Sequence, residues 1–164
     1  MSYRIVAGVD GSPHSSAALR WSLEQARERG GAVTAVLAWQ LPFLSIPGAF
    51  DRDELEQAYR EFLIKTVSEI APTPPVPLEP VLAEGDAAQA LIGASVGADL
   101  LVVGIRGHGP VAGLMLGSVS QACAAGASCP VVLVKRPGEQ GPGPESGAGA
   151  GAGPATPAPG PVPD

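Results

Sequence analysis

The sequence predicts a single α/β domain whose five-stranded parallel sheet has helices on both faces. The first observation behind this is an alternation of strand-length apolar runs with segments of helical spacing, in the order β-α-β-α-β-α-β-α-β. The second is the length of 164 residues, of which about 137 remain for a fold once a Gly- and Pro-rich C-terminal segment is set aside. We expect the strand order 3-2-1-4-5, because it brings strands 1 and 4 together at a switch point where α/β sheets bind ligands.

The first strand, first helix and second strand have clear boundaries. Arg4–Val9 is an apolar run of strand length. Ser12 is expected to cap a helix that has Pro13 in its first position. Gly30-Gly31 ends that helix, and the Val- and Ala-rich run Ala32–Trp39 forms strand 2. The helix residues expected to face the core are Ala18, Leu19, Ser22, Leu23 and Ala26.

A long helix follows an irregular apolar loop. The loop is Leu41–Phe50, which prolines and a glycine interrupt. Asp51 or Asp53 begins the helix, and the proline-rich segment Pro72–Pro77 stops it. The spacing predicts that its inner face consists of Leu55, Ala58, Phe62, Val67 and Ile70.

The remaining strands are short. Leu78–Ala83 is predicted as strand 3, and Gly85-Asp86 caps a helix over Ala87–Val96. The apolar run Leu100–Val103 is strand 4, and Val131–Lys135 is strand 5.

A glycine-rich segment between strand 4 and the last helix is the most informative part of the chain. Gly104 and Gly107 are followed, after nine residues, by Gly117 and by a helix over Ser118–Ala127 with Ser118 as its expected N-cap. Glycines let backbone N–H groups approach a ligand closely, and a helix N-terminus adds donors and a partial positive charge. The segment therefore predicts a phosphate site, although it is neither a Walker A loop nor a dinucleotide fingerprint.

The spacing G-x(2)-G-x(9)-G-[ST] resembles the ATP-binding signature of the universal stress protein family. Ile5–Ser12 is similar to the family's first strand, which ends in an acidic residue, and Cys129–Lys135 is similar to its last strand. The resemblance covers roughly residues 2–137 and departs from the family at Ile105, where a small polar residue is usual. It implies a Rossmann-like domain that binds ATP, with any Mg²⁺ held by the phosphates, in a stress-response sensor or regulator.

The expected binding residues lie at strand ends and in the glycine-rich segment. The resemblance implies that Asp10 contacts the adenosine part of the ligand; the alternative is an Asx-turn or a helix cap. Ala38 lies where the family usually has a Val whose backbone meets adenine, and Arg106 is a candidate phosphate partner. The predicted site comprises Gly8, Asp10, Ala38, Val103, Gly104, Arg106, Gly107, His108, Gly109, Gly117, Ser118 and Val119.

Charge and cysteine usage exclude several function classes. The net charge is −6, of which −3 lies in the C-terminal segment, and an acidic body argues against sequence-independent nucleic-acid binding. Cys123 and Cys129 have no zinc or redox spacing and are expected to be buried thiols. No signal peptide and no run of membrane-spanning length is visible, so we expect a cytoplasmic protein without a membrane partner.

The predicted site lacks the groups that fast catalysis requires. It offers no Lys clamp, no evident general base and no metal cluster, so we expect binding with at most slow ATP hydrolysis and no enzyme function. One alternative is an interaction protein of the same fold that binds no nucleotide. Another is an enzyme of the wider adenine-binding α/β group, against which the absence of an H-x-G-H or S-G-G-x-D-S motif counts.

Two further expectations concern the end of the chain. The domain is predicted over 1–137, and the segment 138–164, with 8 Gly and 7 Pro, is predicted to be a disordered tail. Strand 5 would lie at an edge of the sheet, with Val131, Val132, Leu133 and Val134 as its core. Because an apolar edge strand can pair with another chain, we expect a homodimer through this strand.

Overall fold

The predicted architecture is confirmed by a computed structural model, which describes residues 2–41, 51–107 and 116–138. Within these residues five strands form one parallel sheet in the order β3-β2-β1-β4-β5. The elements are β1 (Arg4–Gly8), α1 (Pro13–Arg29), β2 (Ala32–Trp39), α2 (Arg52–Ile70), β3 (Leu78–Glu84), α3 (Ala87–Ala94), β4 (Leu100–Gly104), α4 (Ser118–Gly126) and β5 (Val131–Val134).

The sheet separates two apolar layers because successive residues of a strand point to opposite faces. In β1, Ile5 packs with α1 and α2, for example against Leu19 and Leu63, whereas Val6 packs on the other side. That second layer includes Leu91 of α3 and Cys123 of α4. Within the sheet β1 pairs directly with β4, so the carboxyl ends of these two strands lie next to each other.

Side chains cap three of the helices at the residues that the sequence indicates. The hydroxyl of Ser12 accepts a hydrogen bond of 3.2 Å from the N–H of Ser15, at the start of α1. The carboxylates of Asp51 and Asp86 cap α2 and α3 in the same way. Each cap satisfies an N–H group of the first helical turn that has no acceptor within the helix.

The predicted inner face of α1 is confirmed, whereas that of α2 is partly wrong. All five residues predicted for α1 are buried. In α2 the buried residues are Leu63, Thr66 and Val67, while Ala58 is exposed and Phe62 is 42% exposed. Phe62 lies against Gly11 in the turn after β1 and does not enter the core. The helix is turned so that the row from Leu63 to Val67 meets the sheet.

The ends of six elements differ from the prediction by one or two residues. Four of these are the ends of β1 at Gly8, β4 at Gly104, α4 at Gly126 and β5 at Val134. Strand β3 continues to Glu84, and α3 ends at Ala94, where Ser95 caps it. The loop predicted over Leu41–Phe50 lies almost wholly outside the described residues, as does the tail after Gly138. No helix in the described part of the chain combines the length and apolar character that a membrane span needs.

Candidate functional site

A pocket of about 280 Å³ opens at the carboxyl ends of β1, β2 and β4. It lies at the switch point of the strand order, where crossover connections on opposite faces leave a crevice. The predicted residues that line it are Gly8, Asp10, Ala38, Gly104, Arg106, Gly107, Gly117, Ser118 and Val119. Val103 is instead a core residue, only 3% exposed, and His108 and Gly109 lie outside the described residues.

Asp10 occupies the turn between β1 and α1. Its Oδ1 accepts a hydrogen bond of 2.9 Å from the N–H of Ser12, which is an Asx-turn. Its Oδ2 lies beside Gly107, so close that a Cβ on this glycine would be 2.6 Å from it. The carboxylate is therefore fixed by the turn on one side and lines the pocket beside the glycine-rich segment on the other.

Backbone groups of Ala38 point toward the pocket. Residues of a parallel strand alternate between hydrogen-bonding one neighbour and the other. The C=O of Val36 accepts a hydrogen bond of 2.9 Å from Val9 N–H, on the β1 side, and the C=O of Trp39 accepts from the turn that follows β3. Ala38 therefore directs its N–H and C=O to the β1 side. Because β1 ends at Gly8, these two groups face the crevice and not a strand.

The wall around Ala38 is apolar. Val36 and Leu37 of β2 form one part of it, and Ala87 and Leu91 of α3 form another. None of these side chains carries a hydrogen-bonding group. A flat heterocycle placed here would be held by apolar contact and recognised only through backbone atoms.

The glycine-rich segment is closed at its neck by hydrogen bonds between its two ends. The N–H of Gly117 donates to the C=O of Ile105 over 2.8 Å. The hydroxyl of Ser120 donates to the C=O of Gly104 over 2.7 Å and lies 3.2 Å from the C=O of Ile105. The backbone donor of Gly117 is thus engaged within the neck.

The N-terminus of α4 opens into the pocket without a side-chain cap. The predicted cap at Ser118 is wrong: Gly117 is the N-cap residue, and Ser118 is the first residue of the helix. The first intrahelical bond runs from Gln121 N–H to Gly117 C=O. The N–H groups before it belong to Ser118, Val119 and Ser120, all of which line the pocket. They supply donors and the positive end of the helix dipole.

The structure requires a glycine at one of two motif positions, Gly104, and does not require one at the other, Gly117. A Cβ on Gly104 would lie 2.7 Å from the Cβ of His14 and 2.9 Å from the N of Ser15, so the start of α1 packs directly on this glycine. Among the described residues, a Cβ on Gly117 would meet nothing nearer than 3.5 Å. Gly117 has φ −71° and ψ 156°, which any residue adopts. The fold therefore explains the glycine at 104 but leaves the glycine at 117 unexplained.

Gly8 also has a packing role. A Cβ at this position would be 3.1 Å from Leu91 and 3.2 Å from Val103, which is tighter than ordinary contact. The glycine lets α3 approach the end of β1. These distances give Gly8 a packing role in addition to its place in the pocket lining.

The two cysteines lie outside the pocket lining. Cys123 is fully buried, and its burial, with a smaller contribution from Asp86, raises the pKa of its thiol. Cys129 is only half-buried, which corrects the prediction of two buried thiols. Among the residues that the structure describes, no three metal-ligating side chains come together.

Two polar residues of the pocket lining are absent from the site predicted from the sequence. Ser15 and Ser120 are both buried, and both line the pocket. Ser15 accepts from the N–H of Asp10 over 3.3 Å and donates to the C=O of Ser12 over 3.0 Å, so it stiffens the turn that carries Asp10. Neither serine belongs to a spaced motif, and only the folded arrangement brings them to the site.

Comparison with known proteins gives a consistent family assignment. The sequence model described as "Universal stress protein family" matches residues 1–135. A universal stress protein of Mycobacterium tuberculosis is 31% identical over 133 residues, which cover 80% of this chain and 45% of that protein. One of Thermus aquaticus is 34% identical over 137 residues, covering 80% of this chain and 97% of that protein. The chain thus spans about half the length of the mycobacterial relative.

Solved structures support the same family assignment. The universal stress protein of Archaeoglobus fulgidus, solved in complex with dAMP, is 27% identical with a TM-score of 0.58, covering 82% of this chain and 98% of that one. A universal stress protein solved in complex with cAMP is 25% identical with a TM-score of 0.61 and the same two coverages. The family match, the relatives and the shared fold show that this chain belongs to the universal stress protein family.

Proposed function

We propose that this protein binds an adenine nucleotide, with ATP as the expected ligand, and acts as a cytoplasmic stress-response sensor or regulator. The observation that carries the proposal is a pocket with two chemically different ends. One end is apolar with the backbone of Ala38 exposed to it, and the other is the uncapped N-terminus of α4. The structures solved with dAMP and cAMP support the ligand class. Native mass spectrometry of freshly purified protein tests it by reporting any retained nucleotide.

The apolar end suits adenine better than guanine. An N–H and a C=O of one residue can donate to adenine N1 and accept from its N6 amino group. Guanine presents a donor at N1 and an acceptor at O6, so both groups of Ala38 would face a partner of the wrong kind. Mismatched polar groups in a desolvated site are costly.

We therefore expect AMP to bind at least about a hundredfold more tightly than GMP. Isothermal titration of the two nucleotides measures the ratio. Comparable affinities would show that the base is not read by these backbone groups.

The other end suits phosphate. The N–H groups of Ser118, Val119 and Ser120 are grouped at the start of α4, and Arg106 also lines the pocket and supplies a side chain that can pair with phosphate. Asp10 is the one acidic residue in the described pocket lining. A single carboxylate does not build a metal site, so a Mg²⁺ ion would be held chiefly by the phosphates, with Asp10 beside it.

We also propose that turnover is slow or absent. Among the described pocket residues there is no Lys, and the carboxylate of Asp10 is already held in its turn. Steady-state hydrolysis of ATP is expected to stay below about 1 s⁻¹, the lower limit of ordinary kinases. A sustained rate above this in a phosphate-release assay would contradict the proposal.

We propose, finally, that two copies pair through β5. Both sheet edges, β3 and β5, are strands of this chain, but β3 carries Glu79, Pro80 and Glu84, which discourage pairing. The four residues of β5 are apolar and only half-buried. The C=O groups of Pro130 and Val134 accept hydrogen bonds from β4 and its following residue. By alternation, the N–H and C=O of Val131 and Leu133 point outward.

The alternating direction of the N–H groups in β5 determines which substitutions test the proposed interface. Leu133→Pro removes an outward N–H and leaves the hydrogen bonds to β4, so it should yield a folded monomer from a wild-type dimer. Val132→Pro removes an N–H that faces β4 and should destabilise the subunit itself. Light scattering at micromolar concentration, with circular dichroism, separates these results. A monomeric wild type, or a folded dimeric Leu133→Pro protein, would rule out this interface.

A further inference from the structure

The neck of the glycine-rich segment depends on one buried hydroxyl group. Ser120 is 3% exposed and is the third residue of α4. Its hydroxyl donates to the C=O of Gly104, at the end of β4, over 2.7 Å. The second neck bond, from Gly117 N–H to the C=O of Ile105, lies directly beside it. Together the two bonds join the end of β4 to the start of α4.

This contact differs from what a serine in a helix ordinarily makes. A helical serine commonly donates to the carbonyl four residues before it, as Ser22 does in α1, where its Oγ is 2.8 Å from the C=O of Ala18. Ser120 instead bonds a carbonyl 16 residues earlier, at the end of β4. The bond therefore sets the position of one element relative to another.

We infer that Ser120 is a positioning residue for the phosphate end of the nucleotide site. Its side chain holds the first turn of α4 against the end of β4, and so fixes where the N–H groups of Ser118 and Val119 point. The hydroxyl of Ser120 already donates to the C=O of Gly104, so it does not bind the ligand itself. It affects the ligand only by positioning the N–H groups of Ser118 and Val119. The inference rests on the proposed adenine-nucleotide function.

This geometry predicts that loss of the Ser120 hydroxyl affects a nucleotide and a nucleoside differently. The base end, at Ala38 and Leu91, lies on other elements and makes no use of the neck. Loss of the Ser120 hydroxyl should therefore weaken ligands that carry phosphate and leave the nucleoside unaffected. A general loosening of the protein would instead weaken both.

The experiment compares Ser120→Ala with Ser22→Ala, which also removes a buried serine hydroxyl bonded to a backbone carbonyl, but within α1. Isothermal titration is carried out with AMP and with adenosine on wild type and both variants. Ser120→Ala should bind AMP about tenfold more weakly, which corresponds to about 1.4 kcal/mol, and adenosine within about twofold of wild type. Ser22→Ala should leave both affinities unchanged.

Amide hydrogen exchange gives a second readout that needs no ligand. The amide of Gly117 should exchange faster in Ser120→Ala than in wild type or Ser22→Ala, because the neck opens more often. Unchanged exchange at this amide contradicts the positioning role. So does a Ser120→Ala protein that binds AMP normally, or that loses AMP and adenosine equally. A wild type that binds neither ligand overturns the proposed function, and this inference with it.

Discussion

Gly117→Val is expected to abolish nucleotide binding in a protein that still folds. A side chain at this position emerges between the start of α4 and the backbone of Arg106 and Gly107, which is the space that we propose for the phosphates. We expect the subunit itself to tolerate it, since the nearest heavy atoms among the described residues are 3.5 Å from a Cβ and the backbone conformation is extended. We expect the affinity for AMP or ATP to fall at least about a hundredfold, about 2.7 kcal/mol. Stability should change by about 1 kcal/mol, the scale of an N-cap substitution.

Isothermal titration and urea unfolding measure the two effects on the same samples. Gly117→Ala serves as the graded variant, because one methyl group fills less of the space and should weaken binding less than Val does. A folded Gly117→Val protein with wild-type affinity would exclude phosphate from this location. A protein that fails to fold would show that the spacing around Gly117 is tighter than 3.5 Å implies.

The strands and three of the helix starts could be predicted from the sequence because each carries its own local signal. Ser12, Asp51 and Asp86 have side chains that cap the helices they precede. The start of α4 could not be placed by the same rule. Ser118 has a capping side chain, but the hydrogen bond from Gly117 N–H to Ile105 holds Gly117 at the cap position. A contact between distant residues decides this boundary, and local preference does not.

The inner face of α2 also could not be predicted from local sequence alone. Two apolar rows along this helix have similar spacing, one through Phe62 and one through Leu63 and Val67, and the predicted face combines residues of both. Periodicity alone does not say which row meets the sheet, because that depends on where the helix crosses β2 and β3. The structure buries the second row and leaves Phe62 over Gly11.

The position of the candidate site could be predicted from the sequence, but the roles of its individual residues could not. Topology brings Asp10 together with Gly104, Gly107 and Gly117 at one crevice, and the motif spacing indicates the end where we propose that phosphate binds. The sequence does not show that Gly104 is needed for packing, nor that Ser120 closes the neck. Both facts depend on the distance between α1, β4 and α4, which no single segment encodes.

Gly104→Ala is expected to destabilise the protein strongly, even though it adds only one methyl group. Its Cβ would lie 2.7 Å from the Cβ of His14, 2.8 Å from the backbone carbon of His14 and 2.9 Å from the N of Ser15. Two of these atoms are backbone, so no side-chain rotation relieves the overlap and α1 must move off the sheet. Overpacking of this kind costs about 2–3 kcal/mol.

Gly93→Ala is the matched control, since it adds the same methyl group to an exposed position in α3, where Gly93 has no described neighbour outside its own helix within 4 Å of the added Cβ. There the substitution should stabilise the helix by about 0.5–1 kcal/mol, because alanine loses less backbone entropy than glycine. Urea unfolding of both variants should therefore give changes of opposite sign. If Gly104→Ala is as stable as wild type, the contact with α1 does not require this glycine. Glycine at 104 would then be required by the ligand, and Gly104 would share with Gly117 the role of leaving space for the phosphates.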